Sequence, residues 1–440
     1  MGKHLLKRVL IVWAMVFLVS CGSEPEALSS VDGQDSVLAE KGPESSGEAS
    51  SSEEGDSSSA WEAPVPEEKA PVGKKRIRIK AVGDIMSHDL QSIYASKLGT
   101  KEKPDYRKQF ALVRDFLRDA DLTIGNFEAT SNDKKPISGY PRFNTKSTIF
   151  SALADTGFDV LTTANNHALD GGLEGVVTTL QGIEGAGLHA VGSHRPGEDR
   201  TLIQDVGGMK IGILSYSLNF NGIEESLSRE KLASYLNPLD EQMIREDLLS
   251  LKEKTDFIIV YPHWGVEYAA KERQEERELA RKMVDWGADL IVGNHPHVVQ
   301  SGERILSKDG RWGAVAYACG NFISLQRLET LKDIRTEQSL ALEIEVEKEA
   351  KATKAVIAGI RLHPLWVRAE RDKLGYFVQT LRCSDYLPGG AQEAVLKEGE
   401  KKRVQQAYEM TMKTAGGLQR ELLLDREPSQ TSESSHPAGS

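Results

Sequence analysis

Residues 257–267 read FIIVYPHWGVE, and their reading decides the fold. Phe257 to Tyr261 form a continuous apolar run, too short for a globular helix and apolar on both faces. Such a run is a strand buried from both sides, as in sheets covered by helices. At Pro262-His263-Trp264-Gly265 the apolar sequence stops and a loop with an imidazole begins.

The same pattern recurs on either side. Residues 76–82 (RIRIKAV) alternate and break at Gly83; 122–124 are apolar up to Gly125. Residues 158–161, 188–191, 290–292 and 314–319 are further short runs, and 201–215 read as a hairpin around Gly207-Gly208. Residues 340–346 and 356–362 alternate more strictly. Helical spacing covers 110–117, 173–183, 240–251 and 275–286, and 391–424 reads as a helical region broken at Gly416-Gly417. The order predicts an α/β core, with a mixed sheet or two packed sheets under helices.

Five strand ends carry chemistry. They are GDIMSH (83–88), GNFE (125–128), ANNHALD (164–170), YPHWGVE (261–267) and VGNHPH (292–297). Ligands of open α/β sheets bind outside the carboxyl ends of strands. Hard oxygen donors mixed with imidazoles suit divalent Zn, Mn or Fe better than Ca or Mg. Asp84, His88, Glu128, Asn166, His263, His295 and His297 are the candidate metal ligands. Asn166 would use its amide oxygen, and Asp84 or Glu128 would supply the anion between two cations. His295 and His297 alternate across Pro296, which in an extended segment aims both rings to one side. His167 directly follows a ligand candidate and is placed to protonate a leaving oxygen. Asn126 and Asp170 join it as catalytic candidates. Glu267 would orient ligands, with a solvated loop acid as its plain alternative; for Asp170 that alternative is a helix cap. Asn321 reads as a turn residue. His189, His194 and His363 read as polar surface groups, and Trp264 and Tyr268 as packing or rim aromatics.

Together GDIMSH, GNFE, ANNHALDGG, HWGVEY and GNHPHVVQ resemble the bacterial CapA proteins of poly-γ-glutamate capsule synthesis, a family of the calcineurin-like metallophosphoesterase-type fold. The resemblance covers roughly residues 76–385. It implies a four-layer α/β/β/α sandwich with two divalent metal ions at the strand ends. It further implies hydrolysis of a phosphoester, by attack of metal-bound hydroxide with His167 as general acid. An anionic polymer or phosphoester is the expected substrate, and membrane-bound polymer synthases are expected partners. The family's first Asp falls on Asp84 and its second acid on Glu128. The usual Asp-x-His start is absent, since the nearest histidine is His88. Two other readings stay open: a non-catalytic polymer-binding or assembly factor that keeps the metal, and a nucleotide phosphodiesterase or nuclease.

The rest of the chain concerns placement. Lys3, Lys7 and Arg8 precede an apolar run at 9–19, and LVSCG at 18–22 resembles a bacterial lipobox. The expectation is a signal peptide at 1–21, a lipidated Cys21, and an extracytoplasmic protein anchored to a bacterial membrane. Residues 22–75 hold thirteen acids against four lysines and no apolar period, which predicts a disordered acidic tether. The metallophosphoesterase-like domain is expected over 76–385, a helical extension over 386–425 and a disordered tail over 426–440. The net charge is −11, and most of it lies in the tether. No basic-aromatic stripe is present, so nucleic acid is not an expected partner. Of the three cysteines, Cys319 and Cys383 read as buried free thiols.

Overall fold

A computed structural model describes residues 73–424, with only the backbone over 420–424. The signal segment, Cys21, the tether up to residue 72 and the tail from 425 lie outside the described residues. Among the described residues no helix is long and apolar enough to cross a membrane.

Two sheets stack face to face. The first has the order Gly375–Arg382, Val356–Asp372, Gln338–Lys348, Lys75–Ile85, Leu122–Phe127, Val160–Thr162 and His189–Val191, with Asn321–Ile323 also pairing to Lys75–Ile85. The second runs Gly302–Leu306, Trp312–Ala316, Leu290–Val292, Phe257–His263, Met209–Ser217 and Leu202–Val206. Central pairs in both sheets are parallel: Lys75–Ile85 with Leu122–Phe127, and Phe257–His263 with both Met209–Ser217 and Leu290–Val292. The carboxyl ends of these strands therefore leave the sandwich on one side.

The period of two in the sequence is what separates the layers. Ile77, Ile79 and Ala81 meet Phe257, Ile259 and Tyr261 between the sheets. Val82 and Ile85, on the opposite face, pack against Phe110, Leu117, Phe150 and Leu153 of the helices. Ile258 and Val260 face Leu248 and Leu251 of helix Glu241–Lys252 and Met283 and Val284 of helix Gln274–Trp286. This is the expected α/β/β/α sandwich.

Several boundaries differ from the sequence reading. The helix expected over 110–117 is two short ones, Arg107–Phe110 and Arg114–Arg118. Gln109 N–H bonds Tyr106 O and Val113 N–H bonds Phe110 O, the tighter i to i+3 pattern. Helix Glu398–Leu424 runs through Gly416-Gly417 without a break. Ala415 and Leu418 on either side are buried in the core between the sheets, so packing overrides a glycine cost of ~1 kcal/mol each. Strands Gly302–Leu306 and Gly375–Arg382 and helices Asp89–Leu98 and Thr148–Thr156 were not anticipated. Cys319 and Cys383 are buried free thiols.

Candidate metal centre

Glycines bring the strand ends together. A Cβ on Gly83 would land on the carbonyl oxygen of Gly320, and one on Gly293 on that of Tyr317. Both positions need a bare backbone because another backbone runs against them. Asp84 N–H bonds Gly320 O at 3.0 Å, and Cys319 N–H bonds Gly293 O at 3.1 Å. The two sheets are thereby fixed to each other beside Asp84 and Asn294.

The ring placement of His295 and His297 departs from the expected geometry. The segment is not extended: φ is 99° at His295 and 58° at His297. Two left-handed residues flank Pro296 and swing both rings inward, at a backbone cost of ~1–3 kcal/mol each. Tyr268 N–H to Pro296 O (2.8 Å) and His295 N–H to Asp84 Oδ2 (3.3 Å) hold the turn.

Two groups of donors result. Glu128, His263 and His295 form one; Asp84, Glu128 and His297 form the other. In each, one ligating atom per residue lies within 4.8 Å of the others, and all five residues are buried. Glu128 belongs to both. Asn166 joins the first group through Oδ1, 3.0 Å from His263 Nε2. His263 Nε2 and His295 Nδ1 stand 3.1 Å apart.

The electrostatics ask for a cation. Glu128 is fully buried and neither of its carboxylate oxygens has a hydrogen-bond partner. Burial, then the Asp84 charge, pushes its carboxyl well above the usual range. Burial, then the neighbouring His295 and His297, pushes His263 well below its usual value. Burial, then His297, lowers His295 to about 4. These imidazoles are neutral at neutral pH and offer lone pairs. Unsatisfied carboxylate oxygens facing neutral imidazoles are the donor set of a divalent metal site, and the residues fit one.

The other candidates take supporting places. Asn126 donates to Asp84 Oδ1 at 2.7 Å and accepts from Thr162 and Asn165, so it aims Asp84. Asp170 is not a helix cap: its Oδ2 accepts from Phe143 N–H and from His167 Nδ1, both at 2.7 Å. The rings of His167 and Phe143 meet at nearly a right angle, with centroids 4.6 Å apart. His88, expected as a ligand, lies outside both groups. It forms the cap of helix Asp89–Leu98, its Nε2 is 3.1 Å from Ser324 Oγ, and burial lowers it to about 3. Glu267 is exposed at the edge of the site, where its charge reaches Glu128.

Three readings of single residues are corrected. Asn321 is a strand residue paired with Asp84, and its Oδ1 is 3.0 Å from His297 Nδ1. His194 is buried with its Nε2 unpartnered, and His363 is half-buried, 3.2 Å from Glu343. Trp264, by contrast, is the packing aromatic expected, set against Tyr317 in the core. Asn221, which the sequence reading passed over, touches both Asn166 and His167. The signal was available: Leu218-Asn219-Phe220-Asn221-Gly222 follows a sixth strand end.

The family model described as bacterial capsule synthesis protein PGA_cap matches residues 78–326. The capsule biosynthesis protein CapA of Bacillus anthracis is 30% identical over 270 residues, covering 59% of this chain and 62% of that protein. The PGA biosynthesis protein CapA of Bacillus subtilis is 31% identical over 248 residues, covering 55% and 62%. The matches thus span a little under two thirds of these relatives. Among solved structures, a phosphatase of Mycoplasma pneumoniae aligns with TM-score 0.37 and 16% identity, over 66% of this chain and 93% of that one. A putative 5'-nucleotidase of Staphylococcus aureus aligns with TM-score 0.39 and 14% identity, over 76% and 58%.

Proposed function

The chain belongs to the bacterial capsule synthesis protein PGA_cap family, and on that premise we propose a metal-dependent phosphoester hydrolase serving the synthesis or export of an anionic polymer of the poly-γ-glutamate type. Two divalent ions, Mn, Zn or Fe, are its cofactors. Lipidated Cys21 holds it outside the cytosol on a bacterial membrane, where polymer synthases are its neighbours.

The observation that carries the proposal is Glu128: a fully buried carboxylate, shared by two donor groups, with no hydrogen bond to either oxygen and with the His263 and His297 rings 3.8 Å from Oε1. In the proposal, Asp84, Glu128 and His297 hold one ion, and Glu128, His263, His295 and Asn166 the other. Bound there, such ions would neutralise phosphoryl charge and acidify water. The protein's own groups do the remaining work. Asp170 takes the Nδ1 hydrogen of His167, which leaves Nε2 to carry the exchangeable proton. Phe143, packed at nearly a right angle to the imidazole, limits its rotation. A proton on Nε2 can then pass to the leaving oxygen as the phosphoester bond breaks.

The test is elemental analysis of the full-length chain with a panel of phosphomonoesters and phosphodiesters. His295→Ala and His297→Ala are each expected to lose both ion content and turnover. Asp170→Asn should keep the ions and lose turnover by ~10²-fold or more. Hydrolysis that persists in metal-free protein would refute the proposal. Retained ions and polymer binding without turnover on any ester would favour a polymer-handling factor instead.

A further inference from the structure

We infer that Asn221 is the positioning residue that decides which end of the Asn166 amide faces the Glu128, His263 and His295 group; this rests on reading that group as a cation site. An asparagine side chain has an oxygen at one end and an amino group at the other, and only the oxygen can ligate a cation. Asn166 Oδ1 points inward, 3.0 Å from His263 Nε2. Its amino end, Nδ2, donates outward to Asn221 Oδ1 at 3.2 Å. Without that acceptor, a half-turn of the Asn166 amide would set N–H groups against the cation and leave its oxygen outside.

The fold gives Asn221 this place by a separate route. Phe220 is buried with Ala168 and Leu169, the residues that follow the Asn166-His167 pair. Phe220 N–H bonds Glu224 Oε1 at 3.0 Å, and Asn221 N–H bonds Asn219 Oδ1 at 3.1 Å. Asn221 and Gly222 are both left-handed, with φ 56° and 77°, a backbone that asparagine tolerates better than most residues. The second end of the Asn221 amide is 3.4 Å from His167 Nδ1. That contact is weak, because Nδ1 already gives its hydrogen to Asp170 at 2.7 Å. The acceptor offered to Asn166 is therefore the strong interaction of this side chain.

The experiment is a double-mutant cycle on Mn²⁺ and Zn²⁺ affinity in the full-length chain, read by competition with a chromophoric chelator. Asn221→Ala is expected to weaken ion affinity ~10–100-fold. Asn221→Asp keeps an acceptor and should bind at least as well as wild type. Asn166→Asp puts an oxygen at both ends of residue 166, so adding Asn221→Ala there should change affinity less than ~3-fold. Wild-type affinity in Asn221→Ala overturns the inference. So does an equal loss in both backgrounds, which would mean that the loop merely collapses. Failure of the wild type to bind either ion overturns the cation reading itself, a different and separable result.

Discussion

Glu128→Gln keeps the shape of the side chain and removes its charge, so it separates what Glu128 does without ions from what it does with them. Its carboxylate lies within 4.8 Å of that of Asp84. Two unit charges at that distance repel by about 3.5 kcal/mol at an effective dielectric constant of ~20. Glu128 escapes part of this by taking up a proton, because its pKa is raised well above normal. In chelator at neutral pH, the variant should therefore be more stable than wild type by roughly 1–3 kcal/mol. With Mn²⁺ at a hundredfold excess over its dissociation constant, wild type gains about 2.7 kcal/mol from binding. The variant has lost the residue common to both donor groups and should gain little. The variant's advantage should shrink by that amount, and the order of stabilities reverses wherever the advantage is below about 2.7 kcal/mol. Thermal unfolding followed by circular dichroism reads this directly, with wild type moving by ~5 °C. A variant less stable than wild type in chelator would refute the electrostatic argument. An equal Mn²⁺ gain in both proteins would refute the role of Glu128 in holding ions.

Four further substitutions concern the scaffold. Gly83→Ala should lose about 3 kcal/mol or more, since its Cβ meets the Gly320 carbonyl. Gly416→Ala, in mid-helix with nothing within 4 Å of its Cβ, should gain ~0.5–1 kcal/mol; urea midpoints that rank the two the other way would remove the close-approach argument. Arg403→Ala should cost about 3 kcal/mol, because fully buried Glu337 then keeps only Arg327 and the Trp366 indole as partners. A loss under ~1 kcal/mol in the same urea titration would show that Arg327 suffices. Glu343 is held down to about 2 by its bond to His363, against burial and with help from Lys80 and Arg361. A depressed carboxyl stabilises the fold fully above its unfolded pKa of ~4.5, and that stability is lost as pH falls through about 2. Unfolding of Glu343→Gln should accordingly show a shallower acid limb between those values; an unchanged slope would assign the limb to other carboxylates.

The site was more legible in the sequence than the edges of the fold. Asp84, Glu128, His263, His295 and His297 each follow an apolar run, and a polar ligand type after a buried strand is a strong local signal. The rings of His295 and His297 converge as expected, but by a route the sequence hides: two left-handed residues rather than an extended segment. Asn321 and Asn221 were missed because an asparagine beside glycine reads as a turn until its neighbours in space are known. Strand Gly375–Arg382 was missed because among the described residues it pairs only with Val356–Asp372 at the sheet edge, and its own sequence, GYFVQTLR, has little alternation. The unbroken helix through Gly416-Gly417 follows from long-range packing of Ala415 and Leu418, which local propensity does not register.

The position of strand Lys75–Ile85 also bears on the order of assembly. One of its neighbours, Leu122–Phe127, is close behind it in the chain, while the other, Gln338–Lys348, is far downstream, with Ile77 opposite Val346. During synthesis the strand waits with one edge open until the distant segment arrives, and pairings of such separation close slowly. An open edge of that kind invites other strands. The carboxylates of Asp84 and Glu128 can meet as soon as the first pair forms, whereas His263, His295 and His297 are all supplied later. The anionic half of the site is thus drawn from an earlier stretch of chain than the imidazole half, and the full set of donors is complete only once the later strands are in place.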